Sequence, residues 1–237
     1  MPARYRPDEA LLPTELAQRN GLAYALFLPE RPASAGVVVL HGADSAKESH
    51  YDFARLAVAS GLAALCFDLR GHGDSEGLLG EGALRDVVTM AGRVREACSG
   101  GLVALRGSSM GGWLALCSAR AAEAAAVVTI CPATGRGLHR GMRDGRFAFR
   151  ADPQGFAALV RKHDALAAAA TLGERLLLMH AEGDDQVPVT VSAELHSAAP
   201  GSRFVRLPGG HHRSIQHDAE LQAASLRWLL AGLTAPR

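Results

Sequence analysis

Short apolar segments alternate with longer amphipathic segments along most of this chain. The segment 36–40 is apolar without interruption, which is typical of a strand that is covered on both faces of a parallel sheet. Further strands of this character are predicted at 62–67, 102–105, 127–131, 175–179 and 203–207. Because these strands alternate with segments of helical length, the pattern predicts an α/β protein with a mostly parallel sheet.

The amphipathic segments between these strands predict helices. In 86–94 the apolar positions recur at helical spacing, which indicates one buried face. Helices are predicted at 51–59, 82–98, 112–124, 154–170, 189–197 and 218–230. Near the start of the chain, Asn20-Gly21 accepts the positive φ angles of a tight turn, so 16–19 and 22–27 are predicted to form an antiparallel hairpin.

One segment breaks this alternation. Residues 132–153 are rich in Gly and Arg, and we interpret about 132–173 as a lid-like insertion within a single domain that spans 1–237. The alternation of Arg and Phe over 146–150 predicts a short strand that lays Phe147 and Phe149 over a pocket, with the guanidinium groups outward.

The arginines of this segment allow two interpretations. They could recognise an anionic acyl or head group, or they could form a solvated charged face. The residues concerned are Arg136, Arg140, Arg143, Arg146 and Arg150.

Composition narrows the class of protein. Hydrophobic residues make up 48% and charged residues 21% of the chain, the balance of an ordinary folded domain. With 25 basic against 24 acidic side chains, the net charge of +1 gives no broad cationic field, so nucleic acid is not expected as a partner.

Residues 1–9 contain no apolar signal segment and 113–131 is interrupted by charges, so we expect a cytoplasmic protein without a membrane partner. No pattern in the chain chooses between a monomer and a homodimer.

The four cysteines form no C-x-x-C pair and are widely scattered. They are Cys66, Cys98, Cys117 and Cys131. Three of them lie in apolar stretches, where a reduced cysteine packs as a small hydrophobic side chain. We therefore expect structural thiols and no metal site.

A G-x-S-x-G sequence, Gly107 to Gly111, lies between a predicted strand and a predicted helix. In this context the serine occupies a strained turn, and a side chain two positions to either side would clash with the backbone. A phosphate-binding loop is the alternative, but G-x-x-x-x-G-K-[ST] is absent, as is G-x-G-x-x-G after the first βα turn. Ser109 is therefore the predicted nucleophile, at a helix N-terminus that favours a developing oxyanion.

A serine hydroxyl needs a base, and the base needs an orienting carboxylate. Both follow Ser109 in the order acid then histidine, in polar loops at the carboxyl ends of two predicted strands. The first loop contains Asp184 and Asp185, and the second contains His211 and His212. The residues by themselves leave both pairs open.

The loop after the strand 36–40 is the candidate oxyanion loop. Its sequence is His41-Gly42-Ala43-Asp44. We predict that the backbone N–H groups of Ala43 and Met110 stabilise the oxyanion. His41 is interpreted as a structural hydrogen-bonding residue.

Together these segments resemble the α/β-hydrolase superfamily, in its esterase, lysophospholipase and serine-aminopeptidase-like branch. The matching stretches are Leu40-His41-Gly42, 67–75, 107–111, 184–188 and 209–212. The resemblance implies a mostly parallel eight-stranded sheet with helices on both faces and a short lid. Lys47-Glu48 and Cys131-Pro132-Ala133 are most similar to short-lidded feruloyl or cinnamoyl esterases.

The resemblance also selects residues within the two open pairs. The acid of this family usually follows the pattern H-G-x-x-D-x-x-V-P, and the spacing from His180 to Pro188 implies Asp184. The family histidine commonly closes a P-G-A-x-H sequence, which implies His212.

The expected activity is hydrolysis of a small-molecule carboxylic ester. Ser109, His212 and Asp184 would act through an acyl-enzyme, with no metal or organic cofactor. A thioesterase or small-peptide hydrolase with the same triad is an alternative. A non-catalytic ligand receptor on the same fold is another.

Overall fold

The computed structural model describes residues 11–234. Residues 1–10, on which the expectation about a signal segment rests, and 235–237 lie outside the described part. The strands are β1 (Glu15–Arg19), β2 (Leu22–Phe27), β3 (Ala35–Leu40), β4 (Ala63–Phe67), β5 (Leu102–Ser108), β6 (Ala126–Ile130), β7 (Leu176–Ala181) and β8 (Arg203–Leu207). They form one eight-stranded sheet in the order β1-β2-β4-β3-β5-β6-β7-β8.

The sheet is antiparallel at one edge and parallel elsewhere. β1 pairs with β2 across the Asn20-Gly21 turn, and β2 pairs with β4, both antiparallel. Every pair from β4 onward in the sheet is parallel. The predicted hairpin and the predicted mostly parallel α/β sheet are confirmed.

Helices connect the strands. They are α1 (Tyr51–Ala59), α2 (Ala83–Ala97), α3 (Met110–Ser118), α4 (Gly135–Arg143), α5 (Pro153–Lys162), α6 (Ala165–Leu172), α7 (Thr190–Ala198), α8 (Ser214–His217) and α9 (Ala219–Thr234). Short 3-10 turns cover Lys47–His50 and Gly173–Arg175.

Two of the predicted helices differ from the structure. The helix predicted at 112–124 ends at Ser118, because the chain must turn back into β6 and does so through Glu123, whose φ is 50°. The helix predicted at 154–170 is divided into α5 and α6. His163 is extended there, and the Asp164 carboxylate caps α6 by accepting the N–H of Leu166 at 2.9 Å.

Alternate residues of the central strands enter two separate cores. Val38 and Leu40 of β3 belong to one cluster, which includes side chains of α2 and α3. Val37 and Val39 belong to the other, which includes side chains of α1 and α9. Because successive side chains of a strand point to opposite faces, this division explains the uninterrupted apolar character of 36–40. Helices cover both faces of the sheet.

The segment between β6 and β7 contains α4, α5 and α6, of which α4 was not predicted. The predicted strand at 146–150 is wrong. The N–H groups of Ala148 and Phe149 donate to the Asp44 carboxylate at 2.7 and 3.1 Å, and that of Arg150 donates to the carbonyl of Gly71 at 3.1 Å. These amides are therefore bound by loops rather than by a neighbouring strand. The interpretation of this segment as a lid within one domain stays a prediction.

Between residues 11 and 234, no helix combines the length and the apolar character that crossing a bilayer requires. All four cysteines are free thiols. Cys66, Cys98 and Cys131 are buried, and burial raises the pKa of each thiol.

Besides His212, four histidines are buried around the carboxyl ends of the strands and their loops: His41, His50, His72 and His180. Burial lowers the pKa of each imidazole below its ordinary value, to about 4 for His41. In the folded protein these imidazoles therefore remain neutral at a pH where exposed imidazoles of the unfolded chain take up a proton.

We expect the free energy of unfolding to fall as the pH is lowered from about 7 to about 4. His41 in the unfolded chain is protonated below about pH 6.5, whereas in the folded protein it stays neutral down to about pH 4. The contribution of His41 to the free energy of unfolding is therefore complete above about pH 6.5. It decreases by up to about 3 kcal/mol between about pH 6.5 and about pH 4. Urea unfolding at a series of pH values measures the slope of the free energy of unfolding against pH.

His41→Gln should flatten this dependence, since glutamine does not titrate. His211→Gln is the matched control, because His211 is exposed, and its slope should equal that of the wild type. Equal slopes for wild type and His41→Gln would contradict the assignment.

Candidate active site

Ser109 lies at the tight turn between β5 and α3. Its φ of 50° and ψ of −114° fall in a region that non-glycine residues rarely adopt. The glycines on either side explain how this turn closes. A Cβ on Gly107 would lie 2.2 Å from the carbonyl oxygen of Gly111, and a Cβ on Gly111 would lie 2.4 Å from that of Leu40. The backbone at both positions therefore requires the absence of a side chain.

Main-chain hydrogen bonds hold the turn in place. The N–H of Ser109 donates to the carbonyl of Ile130 at 2.9 Å. The Ser109 carbonyl accepts the N–H groups of Gly112 and Ala133 at 3.0 Å each. The turn is thus joined both to its own helix and to the chain that leaves β6.

A cavity of about 1090 Å³ opens in front of this turn. Ser109, Ala43 and His212 all line it. Gly42 also borders it, and a Cβ there would come within 3.4 Å of the Ser109 Cβ. The absence of a side chain at Gly42 leaves room for a reacting group beside the serine.

His212 and Asp184 form a hydrogen-bonded pair at the wall of this cavity. The distance from His212 Nδ1 to Asp184 Oδ2 is 2.7 Å. The Asp184 side chain is fully buried, and that of His212 is 8% exposed. Because Nδ1 donates to the carboxylate, Nε2 of a neutral His212 carries the lone pair that a general base needs.

The electrostatics of Asp184 favour its ionised form. Burial by itself raises the pKa of this carboxyl, but hydrogen bonds from Val187, His212 and Gln186 outweigh burial and hold the pKa below its ordinary value. The N–H groups of Val187 and Gln186 donate to Oδ1 at 2.8 and 2.9 Å, which leaves Oδ2 for His212. The carboxylate is thereby fixed in position and charge.

The structure separates the members of both ambiguous pairs. Asp185 is exposed and lines the cavity, whereas Asp184 lies buried behind His212. His211 is exposed, and its Nδ1 accepts the N–H of Arg213 at 3.3 Å. The Asp184–His212 pair is the one within hydrogen-bonding distance.

The Ser109 hydroxyl makes no hydrogen bond to any residue in 11–234. The structure therefore joins His212 to Asp184 and brings Ser109 to the same cavity, without a serine–histidine hydrogen bond. In proteins without a bound substrate, such bonds are often long and form only in the substrate complex.

His180 fixes the loop that carries Asp184. Its imidazole is buried, with Nδ1 2.7 Å from Ser192 Oγ and Nε2 2.9 Å from the Val187 carbonyl. Its Nε2 also lies 3.3 Å from Asp184 Oδ2. Sequence reasoning included His180 only as part of a spacing pattern, and its buried polar contacts explain why that pattern matters.

Cys131 is a neighbour of this pair that the sequence did not connect with it. Its Sγ, an Asp184 oxygen and a His212 nitrogen all lie within 4.8 Å of one another, a group that could ligate a metal ion. Burial raises the pKa of the Cys131 thiol to about 12, so the thiolate that a metal prefers is disfavoured. A metal would also displace the short His212–Asp184 hydrogen bond. The cluster therefore fits a hydrogen-bonded group better than a metal site.

The predicted oxyanion donors flank Ser109. Ala43 lines the cavity, and Met110 is the first residue of α3. Within residues 11–234, neither backbone N–H donates to another group. Both amides are therefore free to donate to a ligand oxygen.

His41 supports this loop and does not enter the cavity. Its Nε2 accepts the N–H of Leu69 at 3.0 Å, and its Nδ1 lies 2.7 Å from the carbonyl of Gly42. These contacts fix a neutral tautomer with the proton on Nδ1. The interpretation of His41 as a structural residue agrees with them.

Ion pairs around the buried Lys47 join the segment after the candidate oxyanion loop to the loop after β4. Nζ of Lys47 lies 2.8 Å from carboxylate oxygens of Asp68, Asp74 and Glu48. The backbone N–H of Lys47 donates to the other Asp68 oxygen at 2.8 Å. Desolvation lowers the pKa of Lys47, but these carboxylates outweigh it and raise the pKa above its ordinary value.

Aromatic contacts hold the lid segment against the same loops. The rings of His72 and Phe149 stack at 4.2 Å, and those of Phe149 and Phe147 at 5.2 Å. Phe147 lines the cavity, but Phe149 does not, so the expectation that both would lie over the pocket is corrected. Arg146 also borders the cavity, although its side chain is largely exposed to solvent. Sequence reasoning missed Asp44, which binds the lid amides, because no motif marks it.

Comparison with solved structures identifies the same architecture in several hydrolases. The chain superposes on the Paleococcus ferrophilus monoacylglycerol lipase with a TM-score of 0.70 and 20% identity, over 89% of this chain and 99% of that one. A soluble variant of the Saccharomyces cerevisiae monoglyceride lipase, in complex with a substrate analogue, gives a TM-score of 0.75 and 14% identity over 98% of each chain. Est1E from Butyrivibrio proteoclasticus, with bound ferulic acid, gives 0.71 and 17% over 90% and 96%.

At these identities the similarity establishes the fold. No curated protein sequence matches the chain. A sequence profile described as serine aminopeptidase, S33, matches residues 31–150, which is half of the chain and includes both the oxyanion loop and the Ser109 turn. With the eight-stranded sheet and the solved structures that share it, this match identifies the chain as a member of the serine aminopeptidase S33 family of α/β-hydrolases.

Proposed function

We propose that this protein is a serine hydrolase that cleaves a carboxylic ester through an acyl-enzyme. The observation that carries the proposal is the 2.7 Å hydrogen bond between His212 and the buried Asp184, at the wall of the cavity that Ser109 lines. An imidazole oriented by a carboxylate, beside a serine in a strained turn, is the arrangement that activates a hydroxyl.

In the proposed first half-reaction, Ser109 Oγ attacks the ester carbonyl carbon and His212 Nε2 takes the hydroxyl proton. The N–H groups of Ala43 and Met110 stabilise the negative charge on the former carbonyl oxygen. When the tetrahedral intermediate collapses, the carbon–oxygen bond to the alcohol breaks, and the alcohol leaves with the proton from His212. In the second half-reaction, water attacks the acyl-enzyme and the same residues release the acid.

Asp184 contributes charge and geometry to these steps. Its lowered pKa keeps it ionised at neutral pH, where it stabilises the imidazolium that forms in each half-reaction. Its hydrogen bond to Nδ1 keeps Nε2 directed away from Asp184.

The family description and the cavity favour different substrates. An aminopeptidase must bind a substrate ammonium group, for which a carboxylate is the natural partner. Among the described residues the cavity is lined by one carboxylate, Asp185, and by four arginines. This charge balance disfavours a cationic amine and supports the ester over the peptide. The lipases and the esterase that share the fold are consistent with that choice.

Turnover measurements separate the hydrolase alternatives. We expect the protein to hydrolyse p-nitrophenyl acyl esters faster than acyl-CoA thioesters or aminoacyl amides of the same acyl size. A chain-length series on the esters then measures the acyl preference. Faster turnover of the thioester or the amide would replace the ester proposal by that alternative.

Ser109→Ala should abolish covalent labelling by a neutral fluorophosphonate, because only an activated serine reacts with this probe. Intact-protein mass spectrometry measures the stoichiometry, which should be one label per chain in the wild type. Ser108→Ala is the matched control, since Ser108 also lines the cavity but is not at the strained turn. Labelling that persists in Ser109→Ala would support a different nucleophile, and its absence in the wild type would support a non-catalytic receptor.

Asp184→Asn and His212→Gln should each lower kcat for a p-nitrophenyl ester by about 10³-fold or more, because each breaks the orientation or the proton transfer of the relay. The neighbouring residues provide controls of the same type. Asp185→Asn and His211→Gln alter exposed side chains and should change kcat by less than about threefold. A larger loss of kcat in Asp185→Asn and His211→Gln than in the variants of Asp184 and His212 would reverse the assignment.

A further inference from the structure

The charged residues that line the cavity in front of Ser109 are unbalanced. Four arginines line it, against a single acidic residue, Asp185. The arginines are Arg136, Arg140, Arg146 and Arg213. The whole chain has a net charge of only +1, so the positive charge is concentrated at this site rather than spread over the surface.

Most of this charge is not neutralised by the protein. Asp144 lies 3.0 Å from Arg143 and 3.7 Å from Arg146, and both share its carboxylate. Within residues 11–234, the guanidinium groups of Arg136, Arg140 and Arg213 make no ion pair or hydrogen bond. Three cationic groups around one cavity are therefore available to a ligand.

The position of two of these arginines is unfavourable for the helix that carries them. Arg136 lies in the first turn of α4, where the positive end of the helix dipole disfavours a cation. Arg140 follows four residues later, so the two like charges repel on one face. The sequence of α4 contains no acidic residue to offset this repulsion. An anion bound between the two guanidinium groups would remove both penalties.

Other contacts of α4 determine which side of this helix borders the cavity. Leu138 is buried, with 3% of its surface exposed, and the Thr134 side chain caps the helix by accepting the N–H of Gly137 at 3.0 Å. Gly141 lies against the Phe147 ring, where an added Cβ would come within 2.6 Å. The helix is thus anchored to the core and to the lid segment while Arg136 and Arg140 line the cavity.

We propose that the substrate is an ester bearing a negatively charged group, a carboxylate or a phosphate, which binds to Arg136 and Arg140 with help from Arg213. The proposal rests on the ester hydrolysis proposed above and names its substrate class. Guanidinium groups bind the oxygens of carboxylates and phosphates through paired hydrogen bonds. All four arginines are exposed to solvent, so added salt should weaken these contacts.

Matched ester pairs test the proposal on each side of the scissile bond. On the acyl side, p-nitrophenyl hydrogen adipate is compared with p-nitrophenyl methyl adipate. On the alcohol side, 4-carboxyphenyl butyrate is compared with 4-(methoxycarbonyl)phenyl butyrate. In each pair a methyl group removes the charge with little change in size. We expect kcat/KM to be at least about tenfold higher for the anionic ester in one pair, and that pair identifies which side carries the charge.

The variant Arg136→Ala/Arg140→Ala should lower kcat/KM for the preferred anionic ester at least about tenfold more than for its neutral partner. Added salt should raise KM for the anionic ester selectively. Arg143→Ala is the control, because Arg143 lies on the same helix but pairs with Asp144 and does not line the cavity. It should leave the ratio of the two rates unchanged.

Several results would overturn the proposal: a neutral ester that is preferred in both pairs, an equal loss on both substrates in the double variant, or a changed ratio in Arg143→Ala. Fluorophosphonate labelling of Ser109 in every variant verifies that the fold and the nucleophile are intact. A labelled, active enzyme without charge preference refutes the anionic substrate alone.

An unlabelled, inactive wild type would refute the hydrolase proposal instead. In that case equilibrium binding to Ser109→Ala still decides the charge question, because it needs no turnover. The proposal expects the anionic ester to bind at least about tenfold more tightly than its methyl ester, and equal affinities would overturn it.

Discussion

The turn between β5 and α3 imposes the main constraint on this protein. Ser109 has a φ of 50°, and its neighbours at Gly107 and Gly111 contact backbone so closely that neither position has room for a Cβ. The strain is stable only because β5 is hydrogen-bonded on both sides and α3 packs into a core beneath it. The parallel sheet thus holds the backbone of Ser109 in one conformation. The surrounding loops border the cavity into which this turn places the Ser109 side chain.

Burial then determines how those loops behave electrostatically. Asp184 is ionised although its side chain is fully buried, because two backbone N–H groups and His212 bind it. His41 and His180 are held neutral by the same burial, which at His180 outweighs the opposite effect of the nearby Asp184 carboxylate. One buried environment therefore supports a carboxylate in its charged form beside imidazoles in their neutral form, since the number of hydrogen-bond donors to each group differs.

The site is also shaped by what covers it. The Asp44 carboxylate binds two backbone N–H groups of the lid segment, and the rings of His72, Phe149 and Phe147 stack from the loop after β4 toward the cavity. These contacts hold the lid segment, and through the Gly141–Phe147 contact the backbone of α4, against the loops around Ser109. The proposed recognition of an anion depends on that fixed geometry, because a guanidinium group on a freely moving segment would lose most of its advantage to conformational entropy.

The sequence by itself determined the alternation of strands and helices, the Asn20-Gly21 hairpin and the position of Ser109, because apolar periodicity, turn residues and G-x-S-x-G are local signals. It could not determine α4, whose glycines and arginines show no apolar periodicity, nor the break at His163 between α5 and α6. It also left Asp184 against Asp185 and His212 against His211 open, since adjacent residues of one type are equivalent until the fold buries one of them. Only the tertiary structure shows where α4 lies, where the helix breaks, and that Asp184 and His212 form the buried hydrogen-bonded pair, because burial and hydrogen bonding arise between segments that are distant in the chain.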